Sequence, residues 1–313
     1  MNVLSLFDGM SGTQLALKKL GIKVDKYYAS EIDKYAIKVT QANFPDTIQV
    51  GDVTKLNVNS HIDLLVMGSP CQDLSFASRD KKGLEGERSG LFFEGLRLVK
   101  ACLAINPNLK VLVENVRMTK ANQDRMTKAL SDVMGQVIEP VAINSNIFSA
   151  QNRYRLYWTN LNIPTLPSDK GIVMNDILEN GFVDRDKSHC LDANYFKGGN
   201  LKSYFEKNRR QLVFSKDGLC HVGNADLNGQ DAIKRVYHAN GKAPTLTTMQ
   251  GGHREPKVYI ENLQYRKLTP LECERLQTVP DNYTNHVSNT QRYKMLGNGF
   301  TIDTICHILS ELK

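Results

Sequence analysis

Near-continuous apolar runs of strand length alternate with helical patterns through the first half of the chain. Ile62 to Met67 and Leu109 to Val113 carry almost no polar residue, as expected of strands buried on both faces of a parallel sheet. Val3 to Phe7 is a shorter run of the same kind, followed by Asp8-Gly9-Met10-Ser11-Gly12 and then by Leu15, Ala16, Leu17 and Leu20 at helical spacing. Lys26 to Ser30, Ile48 to Gly51, Ile138 to Ile143 and Tyr154 to Trp158 read as further strands, and Leu91 to Leu103 as an amphipathic helix. Strand, tight glycine turn and helix in this order open a doubly wound α/β sheet. After about Pro164 the apolar runs shorten and Gly, Asn, Lys and Asp rise, which predicts a small lobe of short strands and loops to Asn262. Helical patterning returns at Thr269, an N-cap with Glu272 completing a capping box, and runs to Leu276. Gly297-Asn298-Gly299 then leads into an apolar helix from Phe300 to Leu312.

Length allows one large core and a smaller lobe, since single cores stop growing near about 250–300 residues and this chain has 313. A net charge of +7 suits a polyanionic partner and equally an ordinary basic protein. Six scattered cysteines, with no Cys-x-x-Cys pair, predict reduced thiols, a cytoplasmic location and no structural metal. The sequence carries neither a leader-like pattern nor an apolar stretch of the roughly 18 residues a membrane span needs.

Candidate chemistry gathers at the predicted strand ends, where open α/β sheets hold their ligands. Gly9 and Gly12 let backbone approach a ligand, although a Gly-x-x-Gly turn fits a ligand-free connection as well. Glu31 falls about 20 residues past that turn, where such folds bind ribose hydroxyls, and Asp52 ends the next strand, placed to take an exocyclic amine. Either acid could instead cap the helix after it. Gly68-Ser69-Pro70-Cys71-Gln72 follows the Ile62 run, which puts Cys71 at a strand end as a candidate nucleophile, against the commoner use of cysteine in packing. Ser78 to Gly90, with three glycines and four basic residues, reads as a loop able to close over a substrate or as a solvated surface. Glu114 ends the Leu109 strand and faces the same sheet edge as Cys71. Alternation places Arg153 and Arg155 on one face, either as surface charges or as a guanidinium pair reaching the site.

Taken in order, these motifs resemble the C5-cytosine DNA methyltransferases over nearly the whole chain, and prokaryotic or phage members in particular. Leu6-Phe7-Asp8-Gly9-Met10-Ser11-Gly12 is similar to the family's first cofactor motif, Glu31-Ile32 to its ribose-binding segment and Gly51-Asp52-Val53 to its adenine-binding motif. Pro70-Cys71-Gln72 resembles the nucleophile motif, Leu91-Phe92-Phe93 the following cofactor helix, and Glu114-Asn115-Val116 the acid motif. Gln151, Arg153 and Arg155 match Gln-x-Arg-x-Arg, Arg266 to Pro280 resembles the segment bracing the recognition domain, and Gly297-Asn298 opens the last motif. Two positions depart from the common pattern: Ser5 stands where an acid is usual, and Ser11 replaces a glycine. The Gly-Ser-Pro-Cys and Ser-Leu-Phe-Asp-Gly spellings look like the animal de novo branch.

The resemblance implies a Rossmann-like S-adenosylmethionine-dependent methyltransferase domain at 1–164 plus 293–313, and a smaller, mostly β/loop target-recognition domain with hinge at 165–292. It implies DNA (cytosine-5)-methyltransfer from S-adenosylmethionine to a flipped-out cytosine, with Cys71 as nucleophile, Glu114 as acid, and Arg153 and Arg155 in the pocket. Phe7, Asp8, Gly9, Ser11, Gly12, Glu31, Ile32, Asp52, Val53, Pro70, Leu91 and Asn298 are the implied cofactor contacts. Gln72, Ser75, Arg79, Lys82, Arg88, Thr247, Thr248, Gln250, Gly251 and Arg254 are the implied contacts to double-stranded DNA. A monomer is expected, with a cognate restriction endonuclease as functional partner where the enzyme belongs to a restriction-modification pair. Three neighbouring readings fit less well. A related branch that methylates tRNA cytosine carries a Cys-Phe-Thr signature absent here, and amino-methylating enzymes carry an absent Asp/Asn-Pro-Pro-aromatic motif. A catalytically silent DNA-binding protein has no chemical need of Cys71, Glu114 and Arg155 together.

Overall fold

The computed structural model describes residues 1–69, 87–215, 236–238, 257–259 and 264–313, of which 87–89, 215, 236–238, 257–259 and 264–265 are described as backbone only. Seven strands form the central sheet: β1 (Asn2–Leu6), β2 (Lys26–Ser30), β3 (Ile48–Gln49), β4 (Leu64–Gly68), β5 (Lys110–Val116), β6 (Val141–Asn144) and β7 (Tyr154–Thr159). Their order is β3-β2-β1-β4-β5-β7-β6. β1 pairs in parallel with both β2 and β4, so the strand order reverses there and leaves a crevice beyond the carboxyl ends of β1 and β4. β7 runs antiparallel to β5 and β6.

Alternation along each strand divides the core in two. On β4, Leu64 and Val66 face one cluster with Leu15 and Leu17 of α1 (Gly12–Leu20), while Leu65 and Met67 face another with Phe92, Leu96 and Val99 of α3 (Glu87–Ile105). Helix α2 (Lys34–Asn43) follows β2, capped by Asp33, and α4 (Lys120–Met134) follows β5, capped by Thr119.

Beyond β7 come α5 (Met174–Ile177) and α6 (Leu201–Lys207), then β8 (Leu212–Ser215), β9 (Val236–His238), β10 (Lys257–Tyr259) and β11 (Gln264–Lys267). β8 pairs antiparallel with β11, β9 pairs in parallel with β10, and Tyr204, Leu212 and Phe214 form a small apolar cluster of their own. The expected lobe of short strands and loops therefore also holds two short helices. The last three helices are α7 (Pro270–Leu276), α8 (Asn289–Asn298) and α9 (Ile302–Leu309). Thr269 and Glu272 make the capping box of α7, and α9 packs on α1 through Ile302 and Ile305, closing the first face of the sheet.

Boundaries differ from expectation where backbone chemistry intervenes. Pro140 has no N–H to give a ladder, and β6 starts after it, at Val141. Gly51, at φ 73°, turns the chain away soon after β3. α9 begins at Ile302 because Phe300 turns inward, where its ring packs on Gly12 and Gly68.

Candidate active site

One cavity of about 530 Å³ opens at the crevice, within the range of small-molecule sites. Its walls come from the ends of β1 to β5 and from the turn between α8 and α9. The sequence-predicted Phe7, Asp8, Gly9, Gly12, Glu31, Ile32, Asp52, Val53, Leu91, Glu114, Arg153, Arg155 and Asn298 all line it. Ser11 does not. It is fully buried beneath the turn, and its hydroxyl donates to Asp8. Pro70, Cys71, Gln72, Ser75, Arg79, Lys82, the Arg88 side chain, Thr247, Thr248, Gln250, Gly251 and Arg254 lie outside the described residues.

The turn after β1 is unusual backbone. Phe7, Gly9 and Ser11 all have positive φ, near 56°, 58° and 60°. Glycine takes this conformation freely, whereas Phe7 and Ser11 each carry about 1–2 kcal/mol of strain, which the surroundings must hold. Three anchors do so: Asp8 N–H donates to Ser30 O at 3.1 Å, Gly9 N–H to Glu31 Oε2 at 2.8 Å, and Tyr27 Oη to Asp8 Oδ1 at 2.7 Å. Burial raises the Asp8 carboxyl from 3.8 to about 6, against the opposing hydrogen bonds from Ser11, Ser5 and Tyr27. An acid buried under this turn from position 8, with serines at 5 and 11, joins the two departures from the family pattern into one cluster.

Both predicted ligand acids also serve the backbone. Glu31 Oε1 accepts from the N–H groups of Ile32 and Asp33 at 2.7 and 2.8 Å, so three of its roughly four lone-pair directions are used and one remains. Asp52 Oδ1 caps the following turn through Thr54 N–H and Oγ1, and those bonds hold its carboxyl below the ordinary value. Capping and ligand binding are thus compatible, since Glu31 keeps one lone-pair direction and the cap uses only Oδ1 of Asp52.

At the other end stands an ion pair. Gly68 is in register with Glu114, and Val116 with Arg155. Arg155 is thereby a diagonal neighbour of Glu114 on the same face, within reach of a long side chain. Arg155 Nε lies 3.0 Å from Glu114 Oε1, both side chains nearly buried. A Cβ on Gly68 would come within 3.4 Å of Glu114 Oε2 and 3.1 Å of Phe300, so glycine there keeps the carboxylate's space open. Asn115, buried beside it, donates to Ser69 Oγ at 3.0 Å and so fixes the residue from which the Pro70-Cys71 segment departs. Arg153 is 3% exposed and donates to the carbonyls of Leu191, Gly297 and Gly299 at 3.2, 3.2 and 2.8 Å. It ties the cavity wall around Asn298 to β7 and is no surface charge.

Sequence reasoning missed Phe300, Met10 and Lys294 as cavity residues. Lys294 Nζ pairs with Asp33 Oδ2 at 2.7 Å, bridging the cavity mouth between α8 and α2. No local pattern signals a contact between positions so far apart in the chain.

A cavity lined by strand-end acids at a topological switch point, with a carboxylate–guanidinium pair at its other end, is the arrangement of a ligand-binding α/β enzyme. The model of the C-5 cytosine-specific DNA methylases matches residues 1–313, and the chain belongs to that family. It is a DNA (cytosine-5)-methyltransferase. Orphan methyltransferase M.SPBetaI of Bacillus phage SPbeta is 28% identical over an alignment covering 100% of this chain and 97% of the phage protein. Type II methyltransferase M1.ScrFI of Lactococcus lactis subsp. cremoris is 30% identical, over 99% and 77%. Type II methyltransferase M.HhaI of Haemophilus parahaemolyticus is 28% identical, over 98% and 93%. Among solved structures, the Entamoeba histolytica methyltransferase EhMeth superposes with a TM-score of 0.65 at 16% identity, covering 100% of this chain and 99% of that one. S. pombe Dnmt2 methyltransferase gives 0.63 at 17%, covering 99% and 97%. These two share the Rossmann-like fold.

Proposed function

We propose that the enzyme methylates C5 of one cytosine in a specific double-stranded DNA sequence, with S-adenosylmethionine as donor and Cys71 as covalent nucleophile. The observation that carries this reading is the shared cavity, with ribose- and adenine-type acids at one end and the Glu114–Arg155 pair at the other. The donor set fits S-adenosylmethionine: Glu31 keeps one lone-pair direction for a ribose hydroxyl, Asp52 Oδ2 suits an exocyclic amine, and Phe7, Ile32, Val53 and Leu91 offer apolar surface. Asp8, Gly9, Gly12, Asn298 and Pro70 complete the proposed contacts. When bound, S-adenosylmethionine supplies an electrophilic methyl group for C5.

The protein's own groups make C5 nucleophilic. Cys71 adds through its thiolate to C6 while Glu114 hydrogen-bonds or protonates N3, so the electron pair of the ring shifts to C5. Arg155 holds O2 and the developing charge, and Arg153 keeps that wall in place. Water then takes the C5 proton, the ring double bond re-forms and Cys71 leaves. A stacked base cannot meet these groups, so the cytosine is flipped out. Residues 165–292, Arg79 and Lys82 of the preceding loop and Arg88 at the start of α3 hold the duplex, together with Gln72 and Ser75. Thr247, Thr248, Gln250, Gly251 and Arg254 contact bases and phosphates, while 1–164 plus 293–313 carry cofactor and chemistry. The enzyme acts as a cytoplasmic monomer. Relatives named as orphan and as type II methyltransferases support both a solitary role and one beside a restriction endonuclease.

Labelled-methyl transfer to DNA by Cys71→Ser tests the reading. Cofactor binding with transfer abolished is expected, and near-wild-type transfer would overturn it. Parallel assays on tRNA must show no transfer.

A further inference from the structure

Among the described residues, Arg153 and Arg155 bring two positive charges to the site and Glu114 brings one negative charge. Buried guanidinium groups are ordinarily matched by anions, yet the oxygens that Arg153 contacts are all backbone carbonyls. The remaining partner is Cys190, whose Sγ lies 3.5 Å from Arg153 Nη1 and 3.9 Å from Arg155 Nη2. Burial of the sulfur pushes this thiol up, but the guanidinium groups of Arg153 and Arg155 and their hydrogen bonds outweigh it and hold the thiol below its ordinary value. Among the described residues, Glu114 on β5 and Tyr157 on β7 are the other titratable groups near the cluster, the Gly297–Gly299 turn contributes carbonyls, and Sγ also lies 3.5 Å from Leu191 O.

We propose that Cys190 is a positioning residue, held as a thiolate between Arg153 and Arg155, which completes the charge balance of the cytosine pocket. It keeps Arg155 aligned with Glu114 and links the first part of the recognition region, at Cys190 and Leu191, to the group that holds the base. No bond is made or broken at its sulfur. The inference rests on Arg155 and Glu114 serving the cytosine pocket.

Cys190 is exposed as a residue while its sulfur packs against the two guanidinium groups, so a small reagent is used. The test is alkylation of the full chain in a Cys71→Ser background, with iodoacetamide and peptide mapping of Cys190 from pH 5 to 10. The half-maximal rate is expected below the ordinary thiol value of about 8.5. Kinetics with Cys71 intact supply the second readout. Cys190→Ser is expected to lower kcat roughly tenfold or more, the worth of one charge-assisted hydrogen bond, with KM for DNA little changed, and Cys190→Asp to restore most of it. An ordinary thiol titration, or equal loss in Ser and Asp variants, would overturn the proposal. Full transfer by Cys71→Ser would instead sink the functional reading while leaving the Cys190 titration intact.

Discussion

Asp8→Asn isolates the cost of the buried acid under the cofactor turn. In the folded protein the Asp8 carboxyl is raised from 3.8 to about 6, chiefly by burial. The folded state therefore binds this proton more tightly than the unfolded chain does. The stability that follows is fully present below pH 3.8 and is lost as pH rises through about 6. At about 1.4 kcal/mol per pH unit the whole effect is about 3 kcal/mol, of which on the order of 1 kcal/mol falls between pH 5 and pH 8. Asparagine keeps the shape and cannot ionise, and the Tyr27 and Ser11 hydroxyls can turn to accept as well as donate. Urea unfolding followed by Trp158, the chain's single tryptophan, 1% exposed on β7, reports on the central sheet. From pH 5 to pH 8 the wild type is expected to lose on the order of 1 kcal/mol relative to Asp8→Asn. A constant difference between the two across that range would refute the reasoning.

Three further outcomes follow from the same geometry. Ser11→Gly relieves a left-handed serine but removes a hydrogen bond that favours the Asp8 carboxylate, so the pH midpoint read by the Asp8→Asn comparison should move upward; a downward move would contradict it. Glu274→Ala should cost about 3–5 kcal/mol in the same urea assay, because Glu274 is fully buried and holds Arg292 at 3.0 Å, leaving that cation unpaired. Asn115→Ala should lower methyl transfer while leaving cofactor affinity, measured by calorimetry, near wild type, since Asn115 anchors Ser69, two residues before Cys71 in the chain.

Residues that act through their own strand end were legible from sequence, and residues that act through distant packing were not. β2 and the capping box of α7 fell where local pattern put them, because alternation and a Thr-x-x-Glu spacing are local signals. Cavity positions for Glu31, Asp52, Glu114, Arg153 and Arg155 followed from strand ends and ordered motifs. Helix α4 went unpredicted because only Met126 and Leu130 are buried along fifteen residues, while Lys120–Asp124 and Lys128–Asp132 pairs occupy its surface. Phe300 read as the start of an apolar helix, since nothing in its neighbourhood reveals two glycines that leave space for its ring. Cys190 looked like one scattered thiol among six until the fold set it against two arginines.

The central claim is that Cys71 forms a bond to cytosine C6 beside Glu114 and Arg155. Duplex DNA with 5-fluorocytosine at the methylated position tests it directly, because fluorine cannot leave C5 as a proton does. Incubation with S-adenosylmethionine and mass mapping of the denatured complex should find the nucleotide attached to the peptide containing Cys71. Attachment elsewhere, or no adduct from an enzyme that methylates the unfluorinated duplex, would contradict the account.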